Sequence, residues 1–264
     1  MGDEGYLLDN RAALALDRLA ALSAIFDPVT LRHVDALGIG RGARCWELGA
    51  GGPSVPRGLA ERVGPEGRVL ATDLAVSPAL AAAAGGPIEV RQHDVAREPP
   101  PEGPFDLVHA RLVLVHLPDR ARVLATLVAA LRPGGWLLIE DADPTLQPLG
   151  VIDEVGPDEA LANKLRAAFR VLLTERGADL GYGRKLPRLL RAAGLGQVAA
   201  DAYFPVAHPA CAPLEIATVT FLRDQVIAKG LARADEIDRH LGNVAAGRLD
   251  LAQPPMISAW GRRA

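Results

Sequence analysis

Apolar side chains recur at three- and four-residue spacing through Leu14, Leu19, Leu22 and Ile25. That is a helical period, and residues 11–37 read as helices. Asp27-Pro28 interrupts the run, and Pro28 suits the first position of a second helix, where a missing N–H is tolerated. Gly38 to Gly42 is a loop. The period then changes. Arg44 to Leu48 is short and apolar, as a buried strand is, and Gly49 to Pro53 is a glycine-rich turn. Ser54 to Val63 returns to helical spacing, and Val69 to Thr72 is the next strand. The unit has the length of a parallel strand–helix–strand crossover.

The alternation continues. Ile88 to Arg91 and Phe105 to Ala110 read as strands, and Arg120 to Leu131 as a helix stopped by Pro133-Gly134-Gly135. Trp136 to Glu140 is a fifth strand. Alternating strands and helices predict a mostly parallel sheet with helices on both faces. After Asp143 the rhythm breaks. A polar, proline-bearing stretch precedes a long helix over 157–176. Leu186 to Ala193 is a helix closed by Gly194, and Val198 to Val206 a strand. Residues 213–229 and 233–246 read as helices, and Met256 to Trp260 as a last strand. There are no internal repeats. The expected organisation is one domain over 1–264. It carries an N-terminal helical lid, 1–29, and two insertions, 144–186 and 208–253, that shape a substrate pocket.

Composition narrows the options. The chain has 264 residues, 49% hydrophobic and 23% charged, enough for one α/β domain with additions. A net charge of −3 supplies no basic field for nucleic acid. The two cysteines, Cys45 and Cys211, are far apart, and the six histidines have no ligand spacing. No metal site and a reducing, cytoplasmic setting are therefore expected. Residues 1–8 are acidic, without an apolar signal core. No apolar run approaches the ~18 residues of a membrane span. Oligomeric state is not legible.

The chemistry concentrates in Glu47-Leu48-Gly49-Ala50-Gly51-Gly52-Pro53-Ser54, between a strand and a helix. Glycine there permits a tight turn and close approach of backbone to ligand. At the end of a parallel strand, the loop faces the crevice where α/β sheets bind ligands. Its N–H groups and the following helix N-terminus favour an anionic group. Asp73 ends the second strand, where an acid can accept from both hydroxyls of a ribose. The alternative is a helix N-cap. Asp94 follows the third strand, where a carboxylate can accept from an adenine amino group or simply form a turn. Its neighbour His93 reads as a packing residue.

Together with Arg111 after the fourth strand, these residues resemble the class I S-adenosylmethionine-dependent methyltransferases. Glu47, Gly49 and Gly51 match that family's E/D-x-G-x-G signature, Asp73 its ribose acid and Asp94 its adenine-side acid. Leu131-Arg132-Pro133-Gly134-Gly135 is similar to its turn before strand five, and Ile257 to Gly261 to its closing antiparallel strand. The resemblance covers about residues 30–143 most strongly. It implies a Rossmann-like sheet of seven strands, the last antiparallel, and S-adenosylmethionine as cofactor. It implies cofactor contacts at Glu47, Gly49, Ala50 and Gly51, at Asp73 and Leu74, at His93, Asp94 and Val95, and at Arg111. Tyr6 and Arg18, in the expected lid, extend that set: Arg18 either meets the methionine carboxylate or is a solvated helix charge. The chain departs from the family at Pro53, where a third glycine is usual.

Methyl transfer to oxygen, nitrogen or carbon of a small, apolar metabolite follows from the resemblance. The protein mainly positions the two partners, since a sulfonium is already a good leaving group. A base is needed only for a protonated nucleophile. His109 and His116 flank the end of strand four. His116 is the candidate base, against a purely structural role. Two other classes compete. A nicotinamide oxidoreductase would need G-x-G-x-x-G, but Ser54 stands at the last glycine. A methyltransferase-like enzyme that binds the cofactor and catalyses cyclisation or decarboxylation is not excluded by any residue.

Overall fold

The computed structural model describes residues 15–264 and divides into two compact units. A sheet unit comprises Phe26–Ala142, Tyr182–Tyr203 and Met256–Ala264. A helical unit takes the described residues up to Ile25, with Asp143–Gly181 and Phe204–Pro255. Tyr6 lies outside the described residues.

In the sheet unit, seven strands are β1 (Arg44–Leu48), β2 (Arg68–Asp73), β3 (Ile88–Gln92), β4 (Phe105–Arg111), β5 (Leu131–Ala142), β6 (Gly196–Tyr203) and β7 (Met256–Arg262). Their order is β3-β2-β1-β4-β5-β7-β6. β1 to β5 pair in parallel, and β7 runs antiparallel to both its neighbours. The Rossmann-like sheet is as expected. The strand order turns back between β1 and β4, which opens a ligand crevice at the strands' carboxyl ends. The inward side chains account for the sheet. Trp46, Leu48, Leu70, Val108 and Ile139 pack in one cluster, and Cys45, Val69, Leu107 and Leu138 in another. Helices α2 (Ser54–Val63), α3 (Pro78–Ala81), α4 (Arg120–Ala130) and α6 (Tyr182–Ala192) belong to this unit, with a 3-10 turn at Leu114–His116.

Three expectations of secondary structure change. Helix α1 runs unbroken over Ala15–Ala36 with Pro28 inside it, so Pro28 does not open a second helix. It forgoes one backbone hydrogen bond where flanking side chains, Ile25, Phe26 and Val34, are buried. α6 begins at Tyr182 rather than Leu186, with Pro187 inside. Gly183 explains the extra turn: a Cβ there would lie 2.6 Å from the Asp141 carbonyl oxygen and 2.9 Å from Ile257 Cγ1. Only glycine lets the helix approach β5 and β7 this closely. β5 starts at Leu131, before the Pro133-Gly134-Gly135 turn. Its pairing with β4 shifts register between Phe105↔Leu131 and Leu107↔Trp136.

In the helical unit, α5 (Pro157–Glu175), α7 (Cys211–Ala228) and α8 (Ala234–Ala245) pack through Leu161, Leu165, Leu172, Leu222, Val226 and Ile237. A buried polar group sits among them. Arg166 donates to Glu215 at 2.9 Å, and His240 Nε2 lies 2.9 Å from the other Glu215 oxygen.

Candidate active site

The glycine loop leaves β1 with Gly49 and Gly51 both left-handed, φ 65° and 61°. That region strongly favours glycine. At Gly49 packing forbids a side chain as well, because a Cβ would lie 2.4 Å from Val113 Cγ2. Backbone and side-chain bonds then pin the loop to the end of β2. Ala50 N–H donates to the Thr72 carbonyl at 3.0 Å. Asp73 accepts from Gly51 N–H at 2.7 Å and from Ala75 N–H at 3.0 Å. Ser77 donates to the Gly51 carbonyl at 3.2 Å and caps α3 by accepting from Leu80 N–H. The capping role is therefore filled by Ser77, which removes the cap alternative for Asp73.

Pro53 caps α2 with helical angles, φ −83° and ψ −7°, and its carbonyl accepts from Arg57 N–H at 3.0 Å. A proline tolerates both features. The helix starts one residue later, at Ser54, with Pro56 in its first turn.

These residues fit an adenosyl group. Asp73 is an acid at the tip of β2, 8% exposed, and burial pushes its carboxyl up against the N–H bonds from Ala75, Gly51 and Leu74. The next side chain, Leu74, is an apolar group 59% exposed beside that acid. Such an exposed apolar side chain can pack on a flat heterocycle. Gly52 has no atom within 4 Å of where its Cβ would be.

Asp94 forms the turn foreseen as its alternative role. It accepts from Ala96 N–H at 2.9 Å, and its own N–H donates to Glu98 at 3.0 Å. His93 turns its ring inward, edge-on to Trp46 at 5.8 Å, with Nε2 2.9 Å from the Pro99 carbonyl. Val95 is buried in the core beside Trp46. For His93 and Val95 the side chains are thus committed to packing, and only the backbone is left for a ligand.

Glu47 is also turned inward. Its carboxylate lies 2.5 Å from Nδ1 of His109, and His109 Nε2 lies 3.2 Å from Glu140. All three are buried. His109 therefore sits within β4, closed off, rather than flanking the strand's end. Glu140 accepts further from Ser258 at 2.6 Å and from Thr30. His33 lies 3.3 Å from Glu140 and 3.0 Å from Asp201. Burial opposes charge on His109, but the Glu47 charge and the hydrogen bonds to Glu140 and Glu47 raise it to about 9. Burial likewise opposes charge on Glu140, and the bonds to His109 and His33 hold it well below the usual carboxylate range.

Arg111 ends β4 and points at α1. It donates to Asp27 at 2.7 Å and Thr30 at 2.9 Å, so its guanidinium is already paired. His116 is half-buried at the end of the 3-10 turn after β4. Arg18 is buried in α1, within the helical unit, rather than a solvated charge.

Sequence reasoning passed over Asp141. It is fully buried at the end of β5. Burial drives its carboxyl well above the usual range, opposed first by the Val115 backbone N–H and then by the Arg120 guanidinium. The available signal was the pair Glu140-Asp141 in an otherwise apolar strand. Among the described residues no group of three or more His, Cys, Asp and Glu is arranged to hold a metal ion. No helix there is long and apolar enough to cross a membrane.

The strand order and the glycine loop pinned to Asp73 define a Rossmann-like protein with its ligand crevice at the ends of β1 and β2. Comparison with known proteins agrees. A family described as a methyltransferase domain matches residues 11–200. Nocamycin O-methyltransferase of Saccharothrix syringae is 31% identical over 207 residues, 70% of this chain and 72% of that one. Methyltransferase str2 of Strobilurus tenacellus is 34% identical over 159 residues, 59% of this chain. The chain spans about half of that relative, 51%. Among solved structures, a phosphoethanolamine N-methyltransferase 2 of Haemonchus contortus, in complex with phosphomonomethylethanolamine and S-adenosylhomocysteine, is similar in fold. It has a TM-score of 0.60 at 16% identity, covering 100% of this chain and 60% of that one. The chain belongs to the class I S-adenosylmethionine-dependent methyltransferases.

Proposed function

We propose that this protein transfers the methyl group of S-adenosylmethionine to a heteroatom or carbon of a small, largely apolar metabolite. The observation that carries the reading is the bond between the Asp73 carboxylate and Gly51 N–H. It joins a ribose-type acid to the loop whose backbone lines the crevice.

S-adenosylmethionine, when bound, supplies a methyl group on a sulfonium that leaves as a neutral thioether. The chain's part is positioning. Asp73 accepts from the ribose hydroxyls, Leu74 packs on the adenine, and Gly49, Ala50 and Gly51 let the backbone come close. Asp94, and the backbone at His93 and Val95, take the adenine edge. Arg111 braces α1 against β4, and Glu47 acts from beneath the loop.

The likeness to nocamycin O-methyltransferase favours oxygen as the accepting atom and a natural product as its bearer. A hydroxyl acceptor needs a base, and His116 after β4 is our candidate. The partner is then a small molecule, and the setting cytoplasmic. Incubation with S-adenosylmethionine and a panel of hydroxylated metabolites tests this by mass spectrometry. S-adenosylhomocysteine and a product heavier by one methylene should form together. Turnover of a metabolite with the cofactor recovered intact would instead assign the non-methylating chemistry.

A further inference from the structure

Glu47, His109 and Glu140 make a row across β1, β4 and β5 beneath the crevice. Glu47 and His109 are register neighbours on adjacent strands, and Glu140 stands opposite Ser258 of β7. We propose that His109 is a positioning residue for the glycine loop: as a cation clamped between Glu47 and Glu140, it fixes the end of β1 from which Gly49 and Gly51 turn. The inference rests on the reading that this loop binds the adenosyl cofactor.

The geometry suits the charge. Each His109 nitrogen faces a carboxylate oxygen, at 2.5 Å and 3.2 Å. With both carboxylates ionised each can only accept, so both nitrogens donate, and an imidazole with two N–H groups is an imidazolium. Glu47 and Glu140 are 2% and 1% exposed. Two buried carboxylates around a neutral ring would leave charge uncompensated, at strong cost. The upward shift of His109 to about 9 agrees with this arrangement.

Other groups face the row. From α1, Thr30 donates to Glu140, and His33 lies beside it while facing Asp201 of β6. Arg111 of β4 adds positive charge near Glu140 and is itself paired with Asp27. Ser258 of β7 donates to Glu140. Cys45 of β1 has its thiol pushed up by burial, so it stays neutral. Glu140 is thus held by groups of α1, β4 and β7. Among the described residues, His109 holds the Glu47 side chain. Loss of the His109 proton should therefore release Glu47, and with it the loop, before it disturbs Glu140.

The test is the pH dependence of nucleoside binding. The probe is 5′-methylthioadenosine, which lacks the aliphatic α-amine of the methionine moiety that would titrate in the same window. Its affinity is measured by calorimetry from about pH 7 to about pH 10, spanning the His109 transition. Circular dichroism at each pH restricts the fit to folded protein. Wild-type affinity should stay level at the neutral end and fall about tenfold through a transition near 9. His109→Gln should bind about tenfold more weakly at neutral pH and lose the transition. Should that variant fail to fold, the wild-type profile decides alone. Wild-type binding with a level profile across the window overturns the positioning role, as does a His109→Gln profile that keeps the transition. Absence of binding at every pH overturns the cofactor reading and this inference with it.

Discussion

Asp73 Oδ2 lies 2.7 Å from the Gly51 backbone nitrogen, so the acid at the tip of β2 holds the loop that follows β1. One carboxylate thereby has two tasks. It shapes the loop, and in the proposed complex it meets the ribose.

Asp73→Ala should remove both. A hydrogen bond to a charged group contributes ~1.5–3 kcal/mol, so losing even one weakens binding roughly 10- to 100-fold. Calorimetry with S-adenosylhomocysteine checks this. An unchanged dissociation constant would mean that Asp73 serves the loop alone.

Gly49→Ala and Gly52→Ala form a contrast. At Gly49 the left-handed backbone costs an L-residue ~1–2 kcal/mol, and the methyl group would collide with Val113. Overpacking adds ~1–3 kcal/mol. Gly52 has open space around its missing Cβ. The thermal midpoint should fall by several degrees for Gly49→Ala and stay near wild type for Gly52→Ala. Equal midpoints would contradict the strain assigned to Gly49.

Pro53→Gly should change cofactor affinity by less than about tenfold, under ~1.4 kcal/mol. Pro53 already holds φ −83°, close to the range its ring prefers, and donates nothing the loop requires. A small loss of stability is expected, since glycine loosens the unfolded chain. A large gain in affinity would show that Pro53 obstructs the site, and would shift weight toward the non-methylating chemistry.

Alkaline pH should destabilise the fold. The folded-state value of His109 is about 9, above its ordinary 6.5. The raised value stabilises the folded state fully below the ordinary value. That contribution is lost as pH rises through about 9. The shift corresponds to an order of ~3 kcal/mol. Urea midpoints at neutral and alkaline pH measure it. His109→Gln should flatten the difference, and a midpoint in wild type that rises with pH would contradict the sign.

The strand–loop–helix unit from Arg44 to Val63 was legible because its punctuation is local. Glycine marks the turn, and strand and helix have different apolar periods. Asp73 was legible by position, since a strand's end in a parallel sheet faces the crevice. Helix α1 and the start of α6 were not. Pro28 and Pro187 are local signals for a break, and burial of the flanking turns overrides them. The Glu47–His109–Glu140 row was hidden for another reason. His109 lies 62 residues beyond Glu47 and 31 before Glu140. Only the sheet register brings them together. His93 and Val95 show the same limit: strand position was readable, but the direction of a side chain depends on what packs behind it.

The most direct test of the central claim is a calorimetric titration of the purified chain with S-adenosylmethionine, S-adenosylhomocysteine and NAD. The loop carries Glu47 beneath it and lacks the last glycine of a dinucleotide turn, while Asp73 stands ready for one ribose. Both sulfur nucleosides should bind at a single site, and NAD should give no heat above dilution. Binding of NAD with none of S-adenosylmethionine or S-adenosylhomocysteine would contradict it.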